Sequence, residues 1–428
     1  MPWPVSQKFQ DTLVSSDQHV GLLVQVTNHT KLVANLEPFL TGSVTVDATA
    51  TTRRTCTLSF AATGFDYSQS ADNVVPSPDD PTAPLYNGSG NEVRPYRGFI
   101  WGTEESVDPN KLGAGLMNST PGVPFNVPGY PGVTAELCPL GVFGISKPTT
   151  TDTGDNLTVD ITGNDRSAIV SARKWTAPYV IPSSTNINRA VQDLLNNRLP
   201  DYNLRFNMMP TDFNLPTTTF GSDLAGSNDP WADVTSLATA ASMVVYFDSV
   251  GQVMMHTINP PANPEPVFTA LYVEGDTSTV TQYARVADET TTYNGVIVIG
   301  TGSGGPPVQV ALWNTDPSSP TYYDPSNPQG SSWGPRPFIY STTLVPSVGQ
   351  PVAAAYTQAM QIAKQQFALV NSILDTPSFD CIPNPAVNED DAVYLVRNRI
   401  NLGDTYTVAQ MTIPVDYTST MSVTCAPQ

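Results

Sequence analysis

The chain has 428 residues, of which 40% are apolar and only 13% charged, with 38 acidic against 19 basic side chains and a formal net charge of −19. Such a length holds about two to four domains with cores of their own, and the acidity excludes a basic surface that grips nucleic acid by neutralising phosphates. The abundance of Thr, Ser, Asn, Gly and 40 prolines suits β-structure with many turns and long ordered loops, not a helical metabolic enzyme.

Four cysteines, Cys56, Cys138, Cys381 and Cys425, are widely spaced and include no CxxC, which argues against zinc. Bridging of one pair in each half stays open, with buried thiols the simpler state. The opening MPWPVSQKFQ lacks a basic-then-apolar leader, and no apolar run of about 18 residues occurs. Neither a secretory route nor a membrane span is expected, so the sequons at Asn28 and Asn118 carry no weight.

A short helix is predicted from Ser6 to Leu13 and a strand over Val20–Thr27. Gly42–Asp47 and Arg53–Phe60 alternate on either side of a small-residue turn and read as a hairpin. Its two arginines, Arg53 and Arg54, suit pairing with local carboxylates or a subunit contact. Residues 61–139 form an excursion rich in Pro, Gly, Asn and Asp, with one strand inside it at Val93–Trp101 and another after it at Leu140–Ser146. Leu157, Val159 and Ile161 alternate as a half-buried strand. Ile187, Ala190, Val191, Leu194 and Leu195 then make one helical stripe, with Ser184 or Thr185 placed to cap it and Pro182 keeping the entry extended.

Asp229-Pro230 starts a further helix whose face is Trp231, Val234, Leu237, Ala238 and Ala241, followed by strands at Met243–Phe247 and Gln252–Ile258. The last segment begins near Val267, with strands at Val280–Val286 and Tyr293–Ile299 and a second excursion over residues 302–346. A long helix at residues 352–374 and strands at Ala392–Val396, Thr405–Ile413 and Thr420–Thr424 close the chain. The fold class is therefore α+β, mostly β. A β-rich module at 1–166 and another at 261–428 flank a small α/β module at 167–260, and no short repeat suggests a solenoid.

Chemistry is hard to find. His19, His29 and His256 lie far apart without a nucleophile-elbow pattern, so packing is their simpler role. Asp79-Asp80, Glu104-Glu105 and Glu389-Asp390-Asp391 read as solvated turns, because glycoside hydrolysis needs two carboxyls about 5–10 Å apart across a cleft and the calcium-loop spacing is lacking. Residues 300–305, GTGSGG, follow a strand as a phosphate loop does, but two prolines follow in place of a helix. Trp101, Trp175, Trp231, Trp313 and Trp333 are too scattered to define a sugar platform. No catalytic, cofactor-binding or metal residue is expected.

Several segments in order carry a resemblance: GSVTVDATATTRRTCTLSF, GNEVRPYRGFIW with LCPLGVFGIS, LTVDITGNDRSAIVSARKWTAPYVIPSSTNINRAVQDLL, DPWADVTSLATAASMVVYFDSVGQVMMHTI, YARVADETTTYNGVIVIG and LGDTYTVAQMTIPVDY. Together they resemble the tail hub (baseplate hub, or minor tail protein) of long-tailed phages, most like siphophages of actinobacteria. The resemblance covers most of the chain apart from the excursions. It departs from the family in an insertion of roughly thirty residues before Leu140, which leaves the contacts of an arm near Pro109–Glu136 open.

The resemblance implies a homotrimer in which each subunit carries two tail-tube-like β-barrel modules, adapting a sixfold tube to a threefold tip. The Gly42–Phe60 hairpin and the Tyr283–Ile299 strands would lie in the ring-forming sheets. Implied partners are a distal tail ring protein above, the tape measure protein and other tip proteins, with DNA passing through an acidic lumen without specific binding. The implied location is the virion tail tip, assembled in the host cytoplasm. A tail-tip cell-wall or glycan hydrolase and a receptor-binding module are the competing classes.

Overall fold

A computed structural model describes residues 2–29, 31–36, 39–61, 83–85, 90–102, 107–154, 157–221, 228–241, 243–257, 272–275, 278–286, 292–302, 305–331, 333–342, 345–346, 349–371 and 376–427. The helices described are α1 (Gln7–Leu13), α2 (Pro109–Leu116), α3 (Arg166–Ala172), α4 (Ile187–Arg198), α5 (Pro230–Ala240) and α6 (Val352–Asn371). None is long and apolar enough to cross a membrane.

Helix starts follow capping chemistry. Ser6 accepts from the Phe9 amide at 3.2 Å, Asp165 from Ser167 at 2.9 Å and Asp229 from Trp231 at 3.0 Å, each satisfying a first-turn donor that the helix cannot. Asp229 is followed by Pro230, whose missing N–H costs nothing at that position. The stripe of α4 is buried at all five expected positions. Its cap, however, is Asn186, whose side chain accepts from Asn188 at 3.0 Å, not Ser184 or Thr185. Ser184 sits in the left-handed region at φ 66°, and the Thr185 hydroxyl donates back to the Pro182 carbonyl at 2.8 Å, so both serve the preceding turn.

Most strands join one 14-stranded sheet. From edge to edge it runs Val280–Val286, Thr376–Cys381, Met421–Pro427, Leu402–Pro414, Phe39–Asp47, Arg54–Ala61, Leu157–Asn164, Phe143–Asp152, Asn91–Trp101, Val20–Asn28 and Lys31–Leu36. The join between chain ends is an antiparallel pairing of Leu402–Pro414 with Phe39–Asp47, in which Thr412 opposes Thr45. One face buries a core that includes Phe9, Val44, Leu58, Phe143, Ile161, Met411 and Val423. No sheet closes on itself among the described residues.

The first excursion is structured wherever it is described after residue 90. Asn91–Trp101 pairs with Val20–Asn28 along its length, and Thr134–Pro139 pairs with Asn91–Trp101. The arm between them carries α2, and its Leu112, Phe125, Val127 and Val133 pack on Leu23, Ala135 and Leu137. The arm thus covers the second face of the sheet at Val20–Asn28, which is why seven successive residues of that strand are buried.

Two expectations for the last segment need correcting. Val280–Val286 pairs with Thr376–Cys381 in the large sheet, whereas Gly295–Gly300 belongs to a separate three-stranded sheet. Its partners, Val308–Trp313 and Pro337–Thr342, lie inside the supposed excursion at 302–346. Helix α6 covers this small sheet through Ala355, Ala359, Ile362 and Ala363 against Val296, Val298 and Val308. Short strands between Gly- and Pro-rich turns gave little periodic signal there. The proposed start near Val267, the Ala61–Asp80 stretch beyond its first residue, and residues 372–374 of the long helix lie outside the described residues.

Candidate functional site

The residues that tie the chain together are buried arginines. Arg54 is 1% exposed and pairs with Glu389, which is 3% exposed, while its Nη1 donates to the Leu140 carbonyl at 2.9 Å. The neighbouring Arg53 reaches Asp390 at 3.1 Å and lies over the Tyr246 ring, 4.1 Å from its centroid. Successive strand residues point to opposite sides, but this pair stands at the strand's entry, and both guanidiniums engage the same acidic turn. The sequence marked both features separately. The expected pairing with local carboxylates is corrected to one across 335 positions, and the expected solvated turn to one that buries Glu389 and Asp391 and leaves Asp390 exposed. A guanidinium without water needs a charged partner and further acceptors, and folding supplies both.

Arg166 fastens the α/β region to the sheet. Its Nε and Nη2 meet the two Glu92 oxygens at 2.6 and 2.7 Å in a bidentate fork, and its Nη1 donates to the Gly251 carbonyl at 2.8 Å. Arg97, 4% exposed, donates to the carbonyls of Pro414 (2.9 Å) and Asp416, and burial holds its pKa down to about 10. Asp165 accepts from the Arg54 amide at 3.0 Å, and burial raises its pKa. Asp391 is the last residue of the acidic turn, and burial raises its pKa to about 6. His256 lies at the rim. The Thr257 carbonyl takes its Nδ1–H at 2.8 Å, leaving Nε2 to accept from the Tyr246 hydroxyl at 3.2 Å.

This arrangement can hold segments in fixed register; it offers no reacting pair. The four cysteines are free and buried, and burial lifts each thiol well above its usual range. His29 packs edge-on against Tyr202, and His19 lies on the surface. Gly300 is a close-approach glycine, since a Cβ there would stand 2.4 Å from the Val345 carbonyl oxygen. The amides of Thr301 and Gly302 donate to the carbonyls of Thr342 and Val345, so these two are not free to cradle a phosphate. Trp175 stacks with Tyr179, lies under the Arg198 guanidinium and donates to Asp233 at 2.7 Å, and Trp231 donates to the Thr51 carbonyl at 3.0 Å. Both are interior supports.

Asp79-Asp80 and Glu104-Glu105 lie outside the described residues. Two surface depressions, of about 190 and 580 Å³, each hold a single carboxylate. Glu136 in the first accepts from the Ser6 amide and hydroxyl, and Glu274 in the second pairs with Arg397 at 3.2 Å. Neither offers the two facing acids that glycoside hydrolysis requires. Among the described residues no group of three or more His, Cys, Asp or Glu is placed to hold a metal ion.

Comparison of the whole fold with solved structures is decisive at the level of architecture. A tail protein from Neisseria meningitidis superposes with a TM-score of 0.57 at 9% identity, covering 95% of this chain and 97% of that one. The fold is that of solved tail proteins. A 43 kDa tail protein of prophage MuSo2 from Shewanella oneidensis gives 0.55 at 9% identity, with 96% and 98% covered. No family model and no curated protein matches the sequence.

Proposed function

We propose that this protein is a structural hub of a phage tail tip, a trimeric ring that continues the tail tube and lets DNA pass during ejection. The observation that carries the reading is the large sheet. It runs through both ends of the chain, buries one face, leaves much of the other to solvent, and ends in Val280–Val286 and Lys31–Leu36, each paired on one side only among the described residues. Open edges of this length invite pairing with another chain, and three copies joined edge to edge would close a barrel that no single copy closes. The likeness to solved tail proteins supports the same reading.

In this scheme the divisions 1–166, 167–260 and 261–428 mark two tube-like modules around an outer α/β module, with the small sheet and α6 as an addition to the last. The buried arginines fix the angle between the modules, which a ring needs if its subunits are to meet. Its partners would be the distal tail ring protein, the tape measure protein and other tip proteins, in a virion of a siphophage of actinobacteria. Native mass spectrometry and negative-stain microscopy test the proposal. Threefold rings are expected, and a chain that stays monomeric with its neighbour proteins added overturns it.

A further inference from the structure

We infer that the smaller of the two surface depressions, about 190 Å³, receives the carboxy-terminal end of another polypeptide, taking its carboxylate and the apolar side chain beside it. That the occupant is a polypeptide rests on the tail reading, since the neighbours of a tail protein are other chains. Three parts of the chain build the depression. Arg94 and Tyr96 come from Asn91–Trp101, Leu116 and Phe125 from the arm, and Ser249 and Val250 from the turn between Met243–Phe247 and Val253–Thr257.

The polar groups that face the depression are donors lacking an acceptor. Arg94 and Tyr96 stand two apart on one strand and so share its face. The Arg94 Nη2 is spent on the His29 carbonyl at 2.9 Å and on Glu92 at 3.3 Å, and its Nε is buried without a partner. Glu92 already holds the Arg166 fork, so two guanidiniums share one carboxylate and a positive charge is left over. The Tyr96 hydroxyl lies against Arg94, and burial raises its pKa, which keeps its proton in place for donation. Ser249 is 5% exposed, yet its hydroxyl has no hydrogen-bond partner among the described residues. The one carboxylate of the lining, Glu136, turns away. It opposes Phe99, not Tyr96, and so reaches the other face of the sheet, where Ser6 donates to both its oxygens.

Around these donors the walls are apolar, with Leu116, Phe125, Leu137 and Val142, and the mouth carries Val123 and Val250, 54% and 37% exposed. An anionic oxygen for the donors and an apolar group for the walls are what a chain end with an apolar last residue supplies. Size decides for an end over an internal Asp or Glu. The volume falls short of the roughly 300–1,000 Å³ of sites that enclose a drug-sized ligand. It admits one residue, and an internal residue, with chain leaving on both sides, needs more room.

Titration calorimetry of the whole chain with N-acetyl-glycyl-glycyl-phenylalanine tests this, with or without ring formation. The free acid is expected to bind at millimolar concentration, and its amide about tenfold more weakly, the worth of one charge-assisted hydrogen bond. Arg94→Gln should remove that preference for the acid. Val123→Glu, at an exposed position of the mouth, should weaken the acid at least as much by setting a like charge in its path, and it carries the test if Arg94→Gln does not fold. Failure of the acid to bind, equal binding of acid and amide, or parent affinity in Val123→Glu each overturns the inference. Hydrocinnamate bound as tightly as the peptide makes the occupant a small acid and overturns the assignment to a chain end. A chain that binds the peptide but forms no ring defeats the hub reading and upholds the pocket.

Discussion

Arg54 has no route to water, so its charge is tolerable only while Glu389 and the Leu140 carbonyl face it. Removing one partner strands the other. Arg54→Ala is expected to cost about 3–5 kcal/mol, read as a drop in the unfolding midpoint. Arg54→Met with Glu389→Met should cost less than either single change, because an apolar pair needs no compensation. Asp391 gives a pH signature. Burial raises its pKa from 3.8 to about 6, so the folded chain holds that proton more tightly than the unfolded one. Its contribution is full below about pH 4, is lost as pH rises to about 6, and stays lost above, a difference of about 3 kcal/mol. Asp165 and Asp248, both raised by burial, act in the same direction. Asp391→Asn should flatten that part of the stability curve and raise the midpoint at pH 7.5, since an amide oxygen can still accept from the Asn388 amide that now donates at 2.8 Å. An unchanged pH profile in the Asn variant would refute the assignment.

At the scale of elements, the arm depends on one close strand approach. A Cβ at Gly98 would stand 2.0 Å from the Glu136 carbonyl oxygen on the paired strand. Gly98→Ala must therefore push Asn91–Trp101 and Thr134–Pro139 apart. The expected cost is about 1–3 kcal/mol, together with new proteolytic cleavage between residues 107 and 133; resistance equal to the parent would refute it. What the sequence discloses here follows the range of each signal. The α4 stripe and the Asp229-Pro230 start are local patterns, and both stand where the periodicity puts them. The Asn186 cap was missed because the left-handed Ser184 turn shifts the helix start by a residue, and no periodicity reports that. The partner of Val280–Val286 lies in Thr376–Cys381, past the small sheet and α6, while a nearer strand of similar composition offered itself. Arg54 and Glu389 are each conspicuous alone, but only the fold joins them.

For the whole molecule, the question is what the two edges of the large sheet do, each open among the described residues. Along a strand, successive residues direct their N–H and C=O groups to opposite neighbours. Of Ala284 and Arg285, one therefore pairs inward with Thr376–Cys381 and the other points its amide off the edge. Ala284→Pro and Arg285→Pro form a matched test, since proline removes one donor in each case. The inward substitution breaks a ladder bond and should lower stability. The outward one removes no ladder bond; where it is Arg285, the guanidinium bonds to the Ile400 and Asn401 carbonyls go too, so its unfolding midpoint is set against that of Arg285→Ala and should lie within about 0.5 kcal/mol of it. If the edge pairs with a second copy, that stable variant is the one that loses the ring, since a proline blocks strand addition. The expected pattern is thus crossed: one variant less stable, the other stable but monomeric by native mass spectrometry. Should the stable variant still form rings of parent mass, the subunits must meet somewhere other than at this strand.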